Sequence, residues 1–151
     1  MTRSARLFGC LAALAASAAF ADVVPPGEVT VENLAVSDSL TGQPGDPAAG
    51  REAFADRKLG NCLACHANAD LSDELFHGGV GPTLDGSGGR WTEGQLRAIV
   101  ANSKAVFGEQ TIMPSFYSLE VGEDVREDLV GETILTAQQV EDVVAYLATL
   151  K

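Results

Sequence analysis

Residues 60–70 read GNCLACHANAD. Cys62 and Cys65 stand three apart, and His66 follows at once. On a helical turn, positions i and i+3 share one face. Two thiols there can add to both vinyl groups along one side of a porphyrin, and the adjacent histidine then points at the iron as proximal ligand. C-x-x-C-H is accordingly the attachment pattern of a c-type haem. Three other chemistries compete for the same residues. Zinc would draw on Cys62, Cys65, His66 and His77, but adjacent ligands sit poorly in a tetrahedron and finger spacing is absent. A thioredoxin-type redox pair wants a βαβ setting, which the pattern does not offer. A structural disulfide suits an exported chain and leaves His66 without a role.

Export is read from residues 1–21. Arg3 and Arg6 precede a Leu/Ala/Phe-rich run, and Ala19-Phe20-Ala21 fits a small-x-small cleavage site. The apolar run is short and alanine-rich for a membrane anchor. A signal peptide over 1–21 is therefore expected, with no membrane span after its removal. Cys10 leaves with it, so Cys62 and Cys65 become the only cysteines. The signal carries two arginines and no acids, which moves the formal charge from −11 to −13. A chain this acidic does not bind nucleic acid by bulk electrostatics.

Residues 22–46 form an extension rich in Pro, Gly, Val and acids. Its stretch VTVENLAV alternates weakly; an extended path over the surface or a partner is expected, with a short strand as the alternative. A domain over 47–151 follows. DPAAGREAFADRKLGN reads as a helix, with Asp46 as N-cap, Pro47 at the first position and Gly60 as its end. His77 to Gly89 is glycine-rich loop. WTEGQLRAIVANSKAVF starts a second helix with a Thr92/Gln95 capping box and an apolar face at Leu96, Ile99, Val100 and Ser103. TILTAQQVEDVVAYLATLK gives a third, capped by Thr136 and Gln139, whose stripe Val140, Val143, Val144, Leu147 and Leu150 is core. Between these two helices, Leu119 to Glu132 carries six acids against Arg126 and reads as solvated loop, a docking patch being the minority reading.

The order helix, C-x-x-C-H, glycine-rich loop, helix, methionine loop, helix resembles the class I cytochrome c family. The resemblance implies an all-α fold, three main helices around one covalently attached haem c, here with an N-terminal extension. It also implies that the first and last helices cross tightly, with Gly50 and Phe54 meeting Val143 and Tyr146.

Met113, in TIMPSF, is the candidate sixth iron ligand. A thioether is a soft, weak donor that favours Fe(II), and Pro114 stiffens its loop. His77 is the rival ligand. Gly81-Pro82 resembles the family's loop beside the proximal histidine, where the proline carbonyl accepts the imidazole Nδ1–H; the resemblance implies that role for Pro82. Arg90 offers a fork of donors, and Trp91 one N–H, to haem propionates. Ordinary core burial is compatible with the same role for Trp91.

GGRWTEGQLRAIVANSKAVFGEQTIMPSFY and the third-helix stretch resemble the SoxX family, the monohaem subunits of SoxXA complexes in periplasmic thiosulfate oxidation. That resemblance implies an electron-transfer subunit of an L-cysteine S-thiosulfotransferase. It implies a SoxA-like cytochrome partner in a heterodimer, the SoxYZ carrier as the complex's substrate protein, and a small cytochrome c as electron acceptor. The catalytic cysteine is expected on the partner. This chain agrees with that division of labour. Once Cys62 and Cys65 are thioethers no thiolate remains, and no Ser-His-Asp arrangement is visible, so no catalytic residue is assigned to it. A free monohaem electron shuttle is the alternative. Val23, Val24, Val29, Val31 and Leu34 are the expected apolar contribution to a SoxA-facing surface.

Overall fold

The Asp46 carboxylate accepts the N–H of Ala48 at 2.8 Å, and Pro47 fills the first helical position, so α1 runs Pro47–Ala55. This computed structural model describes residues 22–120 and 122–151; the signal-peptide expectation falls on residues outside these. Four further helices follow: α2, Ser87–Arg90; α3, Glu93–Ala101; α4, Ser103–Phe107; and α5, Ala137–Thr149. Among the described residues there is no strand, only an isolated bridge between Glu32 and Ala35. Both expected capping boxes are present, at Thr92/Gln95 and Thr136/Gln139.

α5 is the spine, with α1, α2 and α3 packed against it. Its predicted stripe is buried throughout, from Val140 to Leu150. Glycines let backbone approach it at three points. A Cβ on Gly50 would lie 1.9 Å from the Asp142 carbonyl oxygen, and one on Gly88 would lie 2.1 Å from that of Ala148. Gly45 comes as close to Glu141, also at 2.1 Å. Any side chain at these positions would push the elements apart. Next to Gly50, Phe54 meets Tyr146 edge-on, ring centroids 5.6 Å apart. Tyr146 is thus the expected partner of the α1 pair, and the atom nearest Gly50 is the Asp142 carbonyl rather than Val143.

Several boundaries differ from the sequence expectation, each for a local reason. α1 stops at Ala55, not Gly60, because the Asp56 carboxylate takes the N–H of Lys58 and turns the chain out of the helix. The left-handed residue of that turn is Asn61, at φ 47°. The second helix breaks at Asn102, whose side chain caps α4 by accepting from Ala105. The buried face of α3 is also rotated: Arg97, Ala98 and Ala101 join Leu96 and Val100, while Ile99 is only half-buried. The glycine-rich loop contains α2, held on α5 by Ser87 Oγ donating to the Leu147 carbonyl and Gly88 N–H to that of Leu150.

The N-terminal segment is neither a strand nor a free extension. Asn33 and Leu34 both have positive φ, and Glu32 and Ala35 exchange both backbone hydrogen bonds, which makes a two-residue hairpin turn. Val36 and Leu40 then enter the core. They are fixed by a buried charged group on α5 that lies outside the apolar stripe read from the sequence. Glu141 on α5 is 3% exposed, accepts two bonds from Arg97 at 2.8 and 2.9 Å, and accepts the Leu40 N–H at 2.8 Å. Arg97 uses its remaining Nη on the Val36 carbonyl. Asp142 accepts the Asp46 N–H, and Gln138 binds Thr41 and the Pro44 carbonyl. The expected apolar surface is therefore mostly spent inside. Val24, Val29 and Val31 pack against the core, and Val23 and Leu34 stay more than half exposed.

Candidate functional site

Cys62 opens a single 3-10 turn, Cys62–Ala64, and Cys65 closes it by donating its N–H to the Cys62 carbonyl. His66 N–H donates to the same carbonyl, so the three side chains leave one tight turn together. Asn61 enters the turn left-handed, a conformation that asparagine tolerates better than most residues. The two thiols are not bonded to each other. Burial pushes the Cys62 thiol up to about 12. In the unmodified chain that sulfur is a thiol at neutral pH, which disfavours a thioredoxin-type nucleophile.

The two histidines are held in opposite tautomers. His66 Nδ1 lies 2.7 Å from the Pro82 carbonyl, which can only accept, so the proton sits on Nδ1 and Nε2 keeps its lone pair. Gly81 lies flat against the same ring: a Cβ there would come within 2.4 Å of an imidazole carbon. Glycine is required there for contact, not for a special φ. At His77 the backbone N–H of Asn68 donates to Nδ1 at 3.2 Å, and Nε2 lies 2.9 Å from the Leu71 carbonyl. Its lone pair is consumed inside the loop it braces. His77 is therefore not arranged as an iron ligand. Among the described residues no three His, Cys, Asp or Glu side chains are gathered to hold a metal ion.

The loop after His66 is fixed by a network that sequence reading missed. Asn68 is fully buried and donates to the Tyr146 hydroxyl at 2.8 Å; that hydroxyl donates to Asp70 at 2.8 Å. Arg51 on α1 also binds Asp70 and reaches Asp73. The Tyr146 hydroxyl, then Arg51, hold the Asp70 carboxyl below the usual carboxylate range. Burial, then Asp70, pushes the Tyr146 phenol up. Asp85 is likewise lowered, first by the Ala69 N–H and then by Thr83. Of its residues the family resemblance implies only Tyr146, and only as a packing partner of Gly50 and Phe54.

Arg90 lies with its guanidinium carbon 4.9 Å from the Trp91 ring centroid and donates to the carbonyls of Thr83 and Asp85. It thereby closes the Pro82 loop. Trp91 is half-buried against the core, and its indole N–H meets no acceptor among the described residues. Met113 is half-buried against the same core on the loop that follows α4. Val80 and Ile112, the chain neighbours of Gly81 and Met113, are 65% and 77% exposed.

The sequence profile of the cytochrome c family matches residues 47–151. The chain belongs to the cytochrome c family. Among solved structures, a chain of the crystal structure of SoxXA from P. pantotrophus is 46% identical, with a TM-score of 0.79. The match covers 86% of this chain and 99% of that one. Comparison with curated proteins gives no match. This is a SoxX-like cytochrome with the all-α class I cytochrome c fold. The family implies covalently bound haem c, and Cys62 and Cys65 are in place to attach it. No helix among the described residues is long and apolar enough to cross a membrane.

Proposed function

We propose that this cytochrome is the electron-transfer subunit of a periplasmic SoxXA-type complex, an L-cysteine S-thiosulfotransferase that oxidatively joins thiosulfate to a cysteine of SoxYZ. Residues 1–21 serve as a cleaved signal peptide, 22–46 as an N-terminal segment and 47–151 as the haem domain. The chain forms a heterodimer with a SoxA-like cytochrome, accepts electrons, and passes them to a small cytochrome c. The observation that carries the reading is the 46% identity over 99% of a SoxXA chain.

The residues fit a haem c. Cys62 and Cys65 tether it from one turn, and His66 offers its only free lone pair, at Nε2. The Pro82 carbonyl holds the opposite proton, which fixes the ring and raises its basicity. Met113, half-buried against the core, would be the second protein ligand of the iron. Trp91 would offer its indole N–H to a propionate, and Arg90, stacked over the same ring, would offer its guanidinium donors. The exposed Val80 and Ile112 are apolar surface that a porphyrin would cover. When bound, the haem would supply a one-electron carrier, with Cys62, Cys65, His66 and Met113 as the residues that would hold it. The chain's own part is to orient that group and exclude other ligands. Sulfur conjugation needs a thiolate, and thioether formation leaves this chain none.

The test is affinity capture of the haem-loaded chain from its native periplasmic extract. A stoichiometric second, SoxA-like cytochrome is expected. Recovery of the chain alone under gentle salt would instead establish a free shuttle. Deleting residues 22–46 cannot probe the partner surface, because that segment is tied into the chain's own core. Val23→Asp and Leu34→Asp alter the two residues that remain exposed and are expected to weaken capture.

A further inference from the structure

Met113 sits in a loop tied to the chain by groups from one place, the break between α3 and α4. Ser103 is fully buried, and its hydroxyl donates to the Met113 carbonyl at 2.7 Å. The Lys104 ammonium donates to the carbonyls of Thr111 and Glu109. Ser115 donates to the Asn102 side chain at 3.1 Å. The ligand residue is thus held at its own carbonyl, two residues before it and two residues after it.

We propose that Ser103 and Lys104 are positioning residues for Met113, and that their bonds set how readily a foreign ligand displaces its sulfur. This rests on the reading of Met113 as the iron ligand. A thioether is neutral and a weak donor, so its hold on iron depends on a loop that is already ordered. Displacing the sulfur lets the loop open and its carbonyls reach water. In the closed loop the Met113 carbonyl is part-buried, and Ser103 is its donor. Without that hydroxyl the closed form keeps an unpaired acceptor, and the open form does not. The balance moves toward opening.

The experiment uses the ferric holoprotein, with imidazole as probe. Three readouts are followed: imidazole affinity, the sulfur-to-iron charge-transfer band and the midpoint potential. Ser103→Ala is expected to bind imidazole about tenfold tighter, the equivalent of one lost hydrogen bond, with a weaker band and a lower potential. Lys104→Met keeps the aliphatic stem and is expected to gain about threefold, as a more exposed contact should. It also tests the idea if Ser103→Ala fails to load haem. Thr41→Val removes another buried hydroxyl, on the N-terminal segment, where it donates to Gln138 at 2.9 Å. It should lower thermal stability and leave all three readouts unchanged. If the Ser103 and Lys104 variants also leave them unchanged, the positioning role is wrong. Met113→Ala separates that failure from failure of the ligand reading. If Met113→Ala itself leaves band and affinity unchanged, Met113 is not the ligand and the proposal falls with it.

Discussion

Residues 22–46 and 119–132 share a composition and have opposite fates. The first carries five acids and no base, the second six acids and Arg126; both are dotted with valine and glycine. The first ends in the core, with Val36 and Leu40 buried, while the described residues of the second are mostly exposed. Two ion pairs show why. Arg97 and Glu141 are 7% and 3% exposed, and between them they also bind a carbonyl and an N–H of the first segment. Arg126 and Asp128 are 72% and 65% exposed, and among the described residues their side chains bind only each other, across two residues. An irregular segment is built in when the helices offer buried groups to its backbone polar atoms. Its own charge does not decide the matter.

The largest test of that contrast removes the buried acceptor. Glu141→Ala leaves Arg97 buried without its counter-charge and Leu40 without its acceptor. The expected loss is about 3–5 kcal/mol of unfolding free energy, measured by denaturant titration. A loss under about 1 kcal/mol would mean that the pair behaves like a surface one, and the distinction between the two regions would collapse. Next comes Gly45→Ala. Its Cβ would meet the Glu141 carbonyl at 2.1 Å, so the segment must lift from α5. The expected cost is about 1–3 kcal/mol, as for other overpacked contacts.

The same contrast explains what could be read in advance. The three helices, both capping boxes and the α5 stripe follow from periodicity and caps, which are local. Cys62, Cys65 and His66 are local too, being one turn. The fate of residues 22–46 was not local. It depends on Arg97 and Glu141, forty-four positions apart and at helix positions that a hydropathy pattern assigns to solvent. The breaks at Asp56 and Asn102 have local causes, short polar side chains that compete with the helix, yet the same residues occur without breaking one. The roles of the two histidines needed the fold: only there do Pro82 and Asn68 select opposite tautomers.

Asp70 stands between the extremes, its side chain 47% exposed but bound by Tyr146 and Arg51. Its carboxyl is lowered in the folded chain. The stabilisation is therefore complete above the unfolded value of about 3.9 and fades as pH falls through the lower, folded one. Asp70→Asn should melt lower than wild type at neutral pH, by less than about 1 kcal/mol because the pair faces solvent. The gap should close in acid. A gap that persists below the folded value would point to lost shape rather than lost charge. Thermal melts across pH distinguish the two.

The smallest effect is expected where charge is densest. Glu120, Glu123 and Glu127 are exposed, and none of their carboxylates bonds to another element among the described residues. Converting all three to glutamine should change stability by no more than about 0.5 kcal/mol, the range of surface substitutions away from special features. The sign should favour the variant slightly in low salt, because six acids crowd one loop and neutralising three relieves repulsion. Added salt should erase that gain by screening. A destabilisation near that of Gly45→Ala would require these carboxylates to hold the loop to the fold, as Glu141 holds residues 36–40, and would overturn the contrast between the two segments.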